Sequence, residues 1–153
     1  MNAPRTRSLL IASLSLITAA CAGTRPAQVG IQQAGLAACP SSPNCVSSDS
    51  SDSAHRVAPF VLNSPPAKAW KTVRAVVAAL PDTQVVAASA SRLHAESTSE
   101  IFGFVDDLEL QLRPSQGLIA VRSASRLGYG DMGVNRRRVE ELRAALIARG
   151  VVR

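Results

Sequence analysis

The clearest pattern along the chain is an alternation of apolar and polar residues that begins at Phe102. Apolar side chains stand at most even positions up to Leu112, and polar side chains stand at the odd positions from Asp107. A period of two is typical of a β-strand with one buried and one polar face. Residues 114–117 have the composition of a turn, and a second alternating segment starts at Leu118. We therefore predict a β-hairpin at the centre of the fold.

The register of this hairpin follows from the four-residue turn, because such a turn pairs Arg113 with Leu118. The inward face is then apolar near the turn and polar at the far end. Its facing pairs are Leu112–Ile119, Leu110–Val121, Leu108–Ser123 and Asp106–Ser125. On the opposite face Glu109 meets Arg122, which is a favourable cross-strand charge pair.

Asp106 is the unusual residue of the inward face, since a buried carboxylate must be paired, hydrogen-bonded, hydrated or neutral. Ser123 and Ser125 can donate hydrogen bonds to it. We expect a polar cluster at this end of the hairpin, formed by Asp106, Asp107, Ser123, Ser125, Arg126 and Arg138. The alternative is a β-bulge at Asp106 and Asp107 that turns Asp106 outward.

Two amphipathic helices flank the hairpin in the sequence. The first begins at an N-cap, Ser64, has two prolines in its first turn, and runs to Leu80. Trp70 starts its apolar stripe and is expected to anchor the core. The second helix begins at a cap, Asn135, and buries one apolar face.

Three more segments have strand character. Residues 57–62 predict an edge strand, because Pro59 interrupts them, and residues 83–88 and 92–98 predict two further strands. In the last of these we expect His94 on an exposed face, with a role in proton transfer as the alternative. The order of elements predicts an α+β domain with a mainly antiparallel sheet of about four to five strands and both helices packed on one face.

Arg136, Arg137 and Arg138 open the last helix, where the positive partial charge of a helix N-terminus disfavours cations. Glu140 and Glu141 stand four residues after the first two arginines and can pair with them. Arg138 has no such partner, and we expect it to bind elsewhere. The candidate acceptors are Asp106, Asp107, Asp131 or a bound anion. A solvated basic turn is the alternative.

Residues 1–20 have the three parts of a secretory signal: a basic start, an apolar run too short to span a membrane, and small residues before Cys21. A small-residue site ahead of a cysteine resembles the lipobox of bacterial lipoproteins, in which that cysteine is lipidated. An ordinary cleaved signal is the alternative. Residues 21–38 predict a flexible, lipid-anchored tether ahead of a single domain in residues 39–153. Ala22, which is not Asp, favours an outer-membrane anchor that faces the periplasm.

Cys39 and Cys45 are the two remaining thiols, separated by prolines and an asparagine that favour a turn. In an oxidising compartment we expect a disulfide between them. One alternative is a zinc or copper site with His55 and His94, although the cysteine spacing matches no common metal motif. Another is a catalytic cysteine, which would need a free thiolate. We therefore predict no metal and no cofactor.

The formal net charge of the chain is +6. This charge does not indicate a nucleic-acid-binding protein, because the arginines are not interleaved with aromatic residues. An export signal also directs the protein away from the genome. We therefore expect no nucleic-acid partner.

Five segments together carry a family resemblance. They are CPSSPNCVSS at residues 39–48, HAE at 94–96, FGFVDD at 102–107, RSASR at 122–126 and GVNRRR at 133–138. In these segments the chain resembles the family catalogued as domain of unknown function 1499, which looks like a family of exported bacterial proteins, often lipoproteins. The resemblance covers most of the chain after the tether and implies no catalytic residue, because the family's activity is not assigned.

These features predict a periplasm-facing, lipid-anchored domain that binds through the polar cluster. Its partners would be the membrane, through the anchor, and an unknown envelope protein or a small anionic ligand. A hydrolase-like enzyme is one alternative, with Asp106 or His94 as the base and the arginines holding an anionic envelope substrate. A purely structural protein, with the cluster as an internal brace, is the other. We favour binding over catalysis.

Overall fold

The computed structural model describes residues 23–25 and 35–153. They form one antiparallel sheet of six strands and two helices, so the predicted α+β class is confirmed. The elements are β1 (Cys45–Ser47), β2 (Phe60–Val61), α1 (Pro66–Ala78), β3 (Thr83–Ala88), β4 (Arg92–Thr98), β5 (Val105–Arg113), β6 (Leu118–Ser125) and α2 (Val134–Ile147). The predicted signal peptide, Cys21 and most of the predicted tether lie outside the described residues.

Strands β5 and β6 form the predicted hairpin in the predicted register. Arg113 pairs with Leu118 next to the turn, and Asp106 pairs with Ser125 at the other end. The pairing is unbroken between these two ends, so the alternative of a bulge at Asp106 and Asp107 is wrong. A turn of fixed length and an alternating pattern are together sufficient to set this register.

The sheet is larger than the four to five strands expected from the sequence. Its strand order is β1-β6-β5-β4-β3, and β2 also pairs with β6. β1 has three residues and β2 has two, which is too short to display a period of two. For that reason the sequence pattern did not reveal β1. The strand predicted over residues 57–62 is present as β2, but it is shorter than predicted. β3, at the other edge, has a β-bulge between Val85 and Ala87.

Both helices pack on the same face of the sheet, as predicted. The core joins apolar residues of that face to the buried stripes of the helices, among them Leu93, Leu108, Leu110, Val121, Val73, Val77, Leu142 and Leu146. Trp70 is buried in this core, and its indole N–H donates to the Ser89 carbonyl at 3.0 Å. Its predicted anchoring role is confirmed. Within the described residues, neither helix has the length and hydrophobicity needed to cross a membrane.

The helices begin differently from the sequence prediction. Pro65, rather than Ser64, is the N-cap of α1, and no side chain caps that end. Gly133 is the N-cap of α2, and the Asp131 carboxylate accepts the backbone N–H groups of Gly133 and Asn135 at 2.9 and 2.8 Å. Because Asp131 supplies the capping acceptor, the side chain of Asn135 is available to bind elsewhere.

Candidate functional site

The sheet divides the six residues of the predicted polar cluster between its two faces. Neighbouring residues of a strand point to opposite faces, which separates Asp106 from Asp107. The face covered by the helices carries Asp106, Ser123 and Ser125, which α2 joins through Arg138 and Asn135. We call these five residues the helix-side network. The opposite face carries the far-face network, which consists of His94, Glu96, Asp107 and Arg126.

Arg138 ties the helix-side network together. Its guanidinium donates to the Asp106 carboxylate at 2.7 Å, to the Ser123 hydroxyl at 3.1 Å and to the Asn135 amide oxygen at 2.8 Å. The prediction that Arg138 finds a partner away from its own helix is confirmed. This pairing is what allows the carboxylate of Asp106 to be buried on the core side of the sheet.

Asn135 is the hub of the helix-side network, and it is fully buried. Its Oδ1 accepts from the Ser123 hydroxyl at 2.5 Å, and its Nδ2 donates to Ser125 Oγ at 2.9 Å and to the Asn44 carbonyl at 3.1 Å. One side chain thus connects α2, β6 and the segment before β1. Sequence reasoning assigned Asn135 to helix capping and missed this role. The signal that could have corrected it is Asp131, a better-placed capping acceptor.

The carboxyl group of Asp131 is held in its charged form. Burial raises its pKa, but hydrogen bonds from the backbone of Asn135 and Gly133 and from the Asn135 side chain lower it more, so the pKa lies below its ordinary value. A negative charge at this position also complements the positive end of α2. This negative charge partly offsets the positive charge of the three arginines in the first turn of α2.

A cleft of about 510 Å³ opens at the polar end of the hairpin. Its lining includes Asp106, Ser125 and Arg138, so the helix-side network reaches it. Two loops contribute half of the rest: residues 99–104 between β4 and β5, and residues 127–133 between β6 and α2. Concave sites of this size are typical of small-molecule binding.

The two loops expose large apolar side chains. Six of the seven large apolar residues that are exposed in the described chain belong to them: Ile101, Phe102, Phe104, Leu127, Tyr129 and Met132. Met132 is 92% exposed and has a left-handed backbone, with φ of 52°, which methionine rarely adopts. Strained positions of this kind cluster at binding sites, where the surrounding structure holds them. Neither feature was visible in the sequence, where these residues looked like strand and loop.

His94 is buried rather than exposed, so the sequence prediction was wrong. It is 3% exposed, and its Nε2 lies 2.7 Å from Oδ1 of Asp107. Arg126 donates to both oxygens of Asp107, at 2.7 and 2.9 Å, and also to Glu96. Arg25, ahead of the domain, donates to Glu96 at 2.5 Å. The alternation in β4 identified a polar face correctly, but these partners remove that face from solvent.

Both carboxylates of the far-face network stay ionised at neutral pH. Burial raises the pKa of Asp107, but hydrogen bonds from His94 and Arg126 lower it more, to below its ordinary value. At Glu96 burial is likewise outweighed, here by hydrogen bonds from Arg126 and Arg25, and the pKa is lowered. The hydrogen bond from Asp107 in turn raises the pKa of Arg126.

His94, Glu96 and Asp107 offer three ligand atoms within 4.8 Å of one another. Such a trio has donor types that a metal ion accepts. However, the guanidinium of Arg126 already binds both carboxylates, and its positive charge opposes a second cation at the same place. The arrangement therefore fits an ion-pair network better than a metal site.

The two candidate bases lie apart. Asp106 lines the cleft and is paired with Arg138, whereas His94 is buried on the opposite face of the sheet and is paired with Asp107. A base must come within hydrogen-bond reach of the proton that it removes. The geometry therefore gives His94 no role on a molecule bound in the cleft.

Cys39 and Cys45 form the predicted disulfide. Their sulfur atoms are thus neither metal ligands nor nucleophiles. His55 donates through Nδ1 to the carbonyl of Cys45 at 2.8 Å, on the β1 side of the sheet. Strands β6 and β5 separate β1 from β4, which carries His94. The zinc or copper site and the catalytic cysteine considered from the sequence are therefore wrong.

Of the other predicted charge pairs, one forms and two do not. Arg122 donates to Glu109 at 2.9 Å across the hairpin, as expected. Arg136 donates instead to the carbonyls of Ala54 and Arg56, and Arg137 to that of Met132. Backbone carbonyls are fixed acceptors, so these arginines need not order the long side chains of Glu140 and Glu141, and Glu140 is paired with Arg143 instead.

Comparison with known proteins identifies a family without an assigned activity. Neither the curated proteins nor the solved structures include a match to this chain. A family model described as protein of unknown function (DUF1499) matches residues 35–146, which are most of the described domain. The chain belongs to the DUF1499 family.

Proposed function

We propose that the protein is an exported, lipid-anchored domain that binds a small ligand in the cleft. The observation that carries this proposal is the concentration of exposed apolar side chains in the two loops that line part of the cleft. Contiguous apolar surface of this kind marks binding sites on soluble domains. The ligand would contact Phe102, Phe104 and Leu127.

The internal brace considered from the sequence explains only part of this region. The bonds between Arg138, Asp106 and Asn135 do brace α2 against the hairpin. A brace gives no reason, however, for a strained and exposed Met132 or for two exposed phenyl rings that line the same cleft. We infer that the helix-side network is the rigid floor on which the binding loops are mounted. Rigid support of this kind is what a binding site requires.

The proposed location rests on the N-terminal sequence. A secretory signal in residues 1–20 followed by Cys21 supports export and lipidation, and Ala22 supports an outer-membrane anchor that faces the periplasm. The membrane would then be one partner, through the lipid. The ligand would come from the envelope.

A Cys21→Ser variant tests the anchor. It is expected to move from the membrane fraction to the soluble fraction, because serine cannot carry the thioether-linked lipid. Fractionation followed by immunoblotting measures the shift, and a Cys39→Ser/Cys45→Ser variant, which retains Cys21, should stay with the membrane. If the Cys21→Ser protein sedimented with the membrane fraction to the same extent as the wild type, lipid attachment at this residue would be excluded.

Recovery of the bound ligand tests the cleft. Protein isolated from its native envelope is unfolded in organic solvent, and the released molecules are identified by mass spectrometry. A Phe102→Ala/Phe104→Ala variant is expected to release about tenfold less of a molecule that binds in the cleft. The reason is that the loss of each ring weakens binding by roughly 1 kcal/mol or more.

An Ile147→Ala variant is the matched control for this recovery. Ile147 is also an exposed large apolar residue, but it does not line the cleft. Its ligand recovery should equal that of the wild type. The proposal fails if all three proteins release the same small molecules in the same amounts.

A further inference from the structure

The cleft is acidic although the chain as a whole is basic. Its lining contains five carboxylates and two guanidinium groups, a formal charge of −3, whereas the full chain carries +6. The carboxylates are Asp82, Glu100, Asp106, Asp131 and Glu141. A local field opposite in sign to the rest of the protein selects the charge of what enters the cleft.

Three of these carboxylates are available to a ligand. Asp106 is paired with Arg138, and Asp131 is occupied by the N-terminus of α2. The side chains of Asp82, Glu100 and Glu141 are exposed, and none of them has an ion-pair or hydrogen-bond partner within the described chain. They come from three separate elements: the turn before β3, the loop after β4, and α2.

The cations of the lining are less available. Arg138 already holds Asp106, and Arg137 donates one of its N–H groups to the carbonyl of Met132. An anion would therefore meet one partly used guanidinium against three unpaired carboxylates. This balance argues against the anionic ligand expected from the sequence.

The two phenylalanines of the cleft lining also favour a positively charged ligand. Phe102 and Phe104 stack with their ring centroids 5.8 Å apart, and both rings are exposed. The face of a phenyl ring attracts a cation through its quadrupole. Rings and carboxylates around one cleft thus both favour a positively charged group, while the rings and Leu127 supply apolar contact.

Two other occupants fit this charge less well. An anionic bilayer surface would be repelled by the three unpaired carboxylates, which oppose insertion of the loops into lipid. A second copy of the chain, docked through the same cleft, would bring two acidic surfaces together. Both remain outcomes of the experiment below.

We propose that the ligand of the cleft is a small molecule with an organic cation, such as an ammonium group, attached to an apolar body. This proposal rests on the proposed function and specifies its ligand class. The apolar body contacts Phe102, Phe104 and Leu127. The cation lies among Glu100, Glu141 and Asp82 at the mouth.

Three probes of equal chain length test the charge: octyltrimethylammonium, octanoate and 1-octanol, each titrated into the full chain by isothermal titration calorimetry. The ammonium compound is expected to bind with a dissociation constant of about 1 mM or lower, from the limits on affinity per atom. It should bind about tenfold or more tightly than octanoate, and this preference should shrink as salt screens the carboxylates.

A Glu100→Gln/Glu141→Gln variant removes two of the charges and should reduce the preference for the ammonium probe to about threefold or less. Glu140→Gln is the matched control, because Glu140 is on α2 but outside the lining and is paired with Arg143. Its preference should match that of the wild type. If Glu140→Gln reduced the preference for the ammonium probe as much as the Glu100→Gln/Glu141→Gln variant or more, the assignment of the charged groups would be overturned.

The remaining outcomes separate this inference from the proposed function. Octanoate or octanol binding as tightly as the ammonium probe would overturn the charge assignment and leave a binding cleft in place. If none of the three probes binds, both the charge assignment and the proposed binding function of the cleft are overturned. Dimerisation of the wild-type protein through the loops, or binding of the Cys21→Ser variant to anionic vesicles through them, would show that one of those occupants takes the place of the small molecule.

Discussion

An Asp107→Ala variant is expected to lose about 3–5 kcal/mol of unfolding free energy, which is the usual effect of breaking a buried ion pair from one side. Asp107 is 2% exposed and accepts hydrogen bonds from His94 and from two nitrogens of Arg126. Without it, the buried Arg126 side chain keeps only Glu96 among the described residues, and His94 loses the partner that it has there. Urea denaturation at pH 7, followed by circular dichroism, measures the change.

Asp49→Ala is the matched control for this experiment. Asp49 also makes two hydrogen bonds to one arginine, Arg113, at 3.0 and 2.5 Å, but that pair is partly exposed. Exposed pairs contribute less than about 1 kcal/mol. If the two variants lost equal stability, the burial of the far-face network would have no energetic role.

The pH dependence identifies the charge of Asp107 as the cause. Its pKa is lowered in the folded protein from an ordinary value of 3.8, so its stabilising contribution is complete above that pH and is lost as the pH falls through the lower folded value. The gap in stability between wild type and Asp107→Ala should therefore narrow below pH 3.8. A gap that stayed constant into acid would indicate lost packing instead of lost charge.

The second large effect is expected at Asn135. An Asn135→Ala variant should lose about 2–4 kcal/mol, because the hydroxyls of Ser123 and Ser125 and the carbonyl of Asn44 each lose a partner in a buried site. The higher helix propensity of alanine offsets this loss by only about 0.7 kcal/mol at most. Thermal and urea unfolding measure it.

Asn63→Ala provides the comparison for Asn135, since Asn63 is exposed. Its effect should stay within about 0.5 kcal/mol. A loss below 1 kcal/mol at Asn135 itself would contradict its role as the hub. In that case Arg138 alone would hold α2 against the hairpin.

The hairpin was predictable because its register depends on two local quantities, the period of the pattern and the length of the turn. That Arg138 needs a partner away from its own helix was predictable for a related reason, since it is a cation at a helix N-terminus without a glutamate four residues later. The sequence left Asp106, Asp107, Asp131 or a bound anion as the acceptor, and the structure identifies Asp106. The turn length and the missing glutamate are each contained within a few residues.

The divided cluster and the buried His94 show where local patterns fail. Asp106 and Asp107 are adjacent, so the period of two already placed them on opposite faces, although grouping residues by sequence proximity concealed this. Alternation identified the polar face that carries His94 but could not show that Asp107 and Arg126 bury it. The cleft depends on the conformations of two loops, and an apolar loop residue in a sequence looks the same whether it is packed or exposed.

The two edges of the sheet have a consequence for the behaviour of the protein at high concentration. A long, regular edge strand has a row of unpaired N–H and C=O groups on which another chain can add a strand. Here one edge consists of β1 and β2, of three and two residues, and the other is β3, which the bulge between Val85 and Ala87 interrupts. Within the described chain neither edge is a continuous template, so the sheet resists the strand addition by which concentrated β-sheet proteins aggregate.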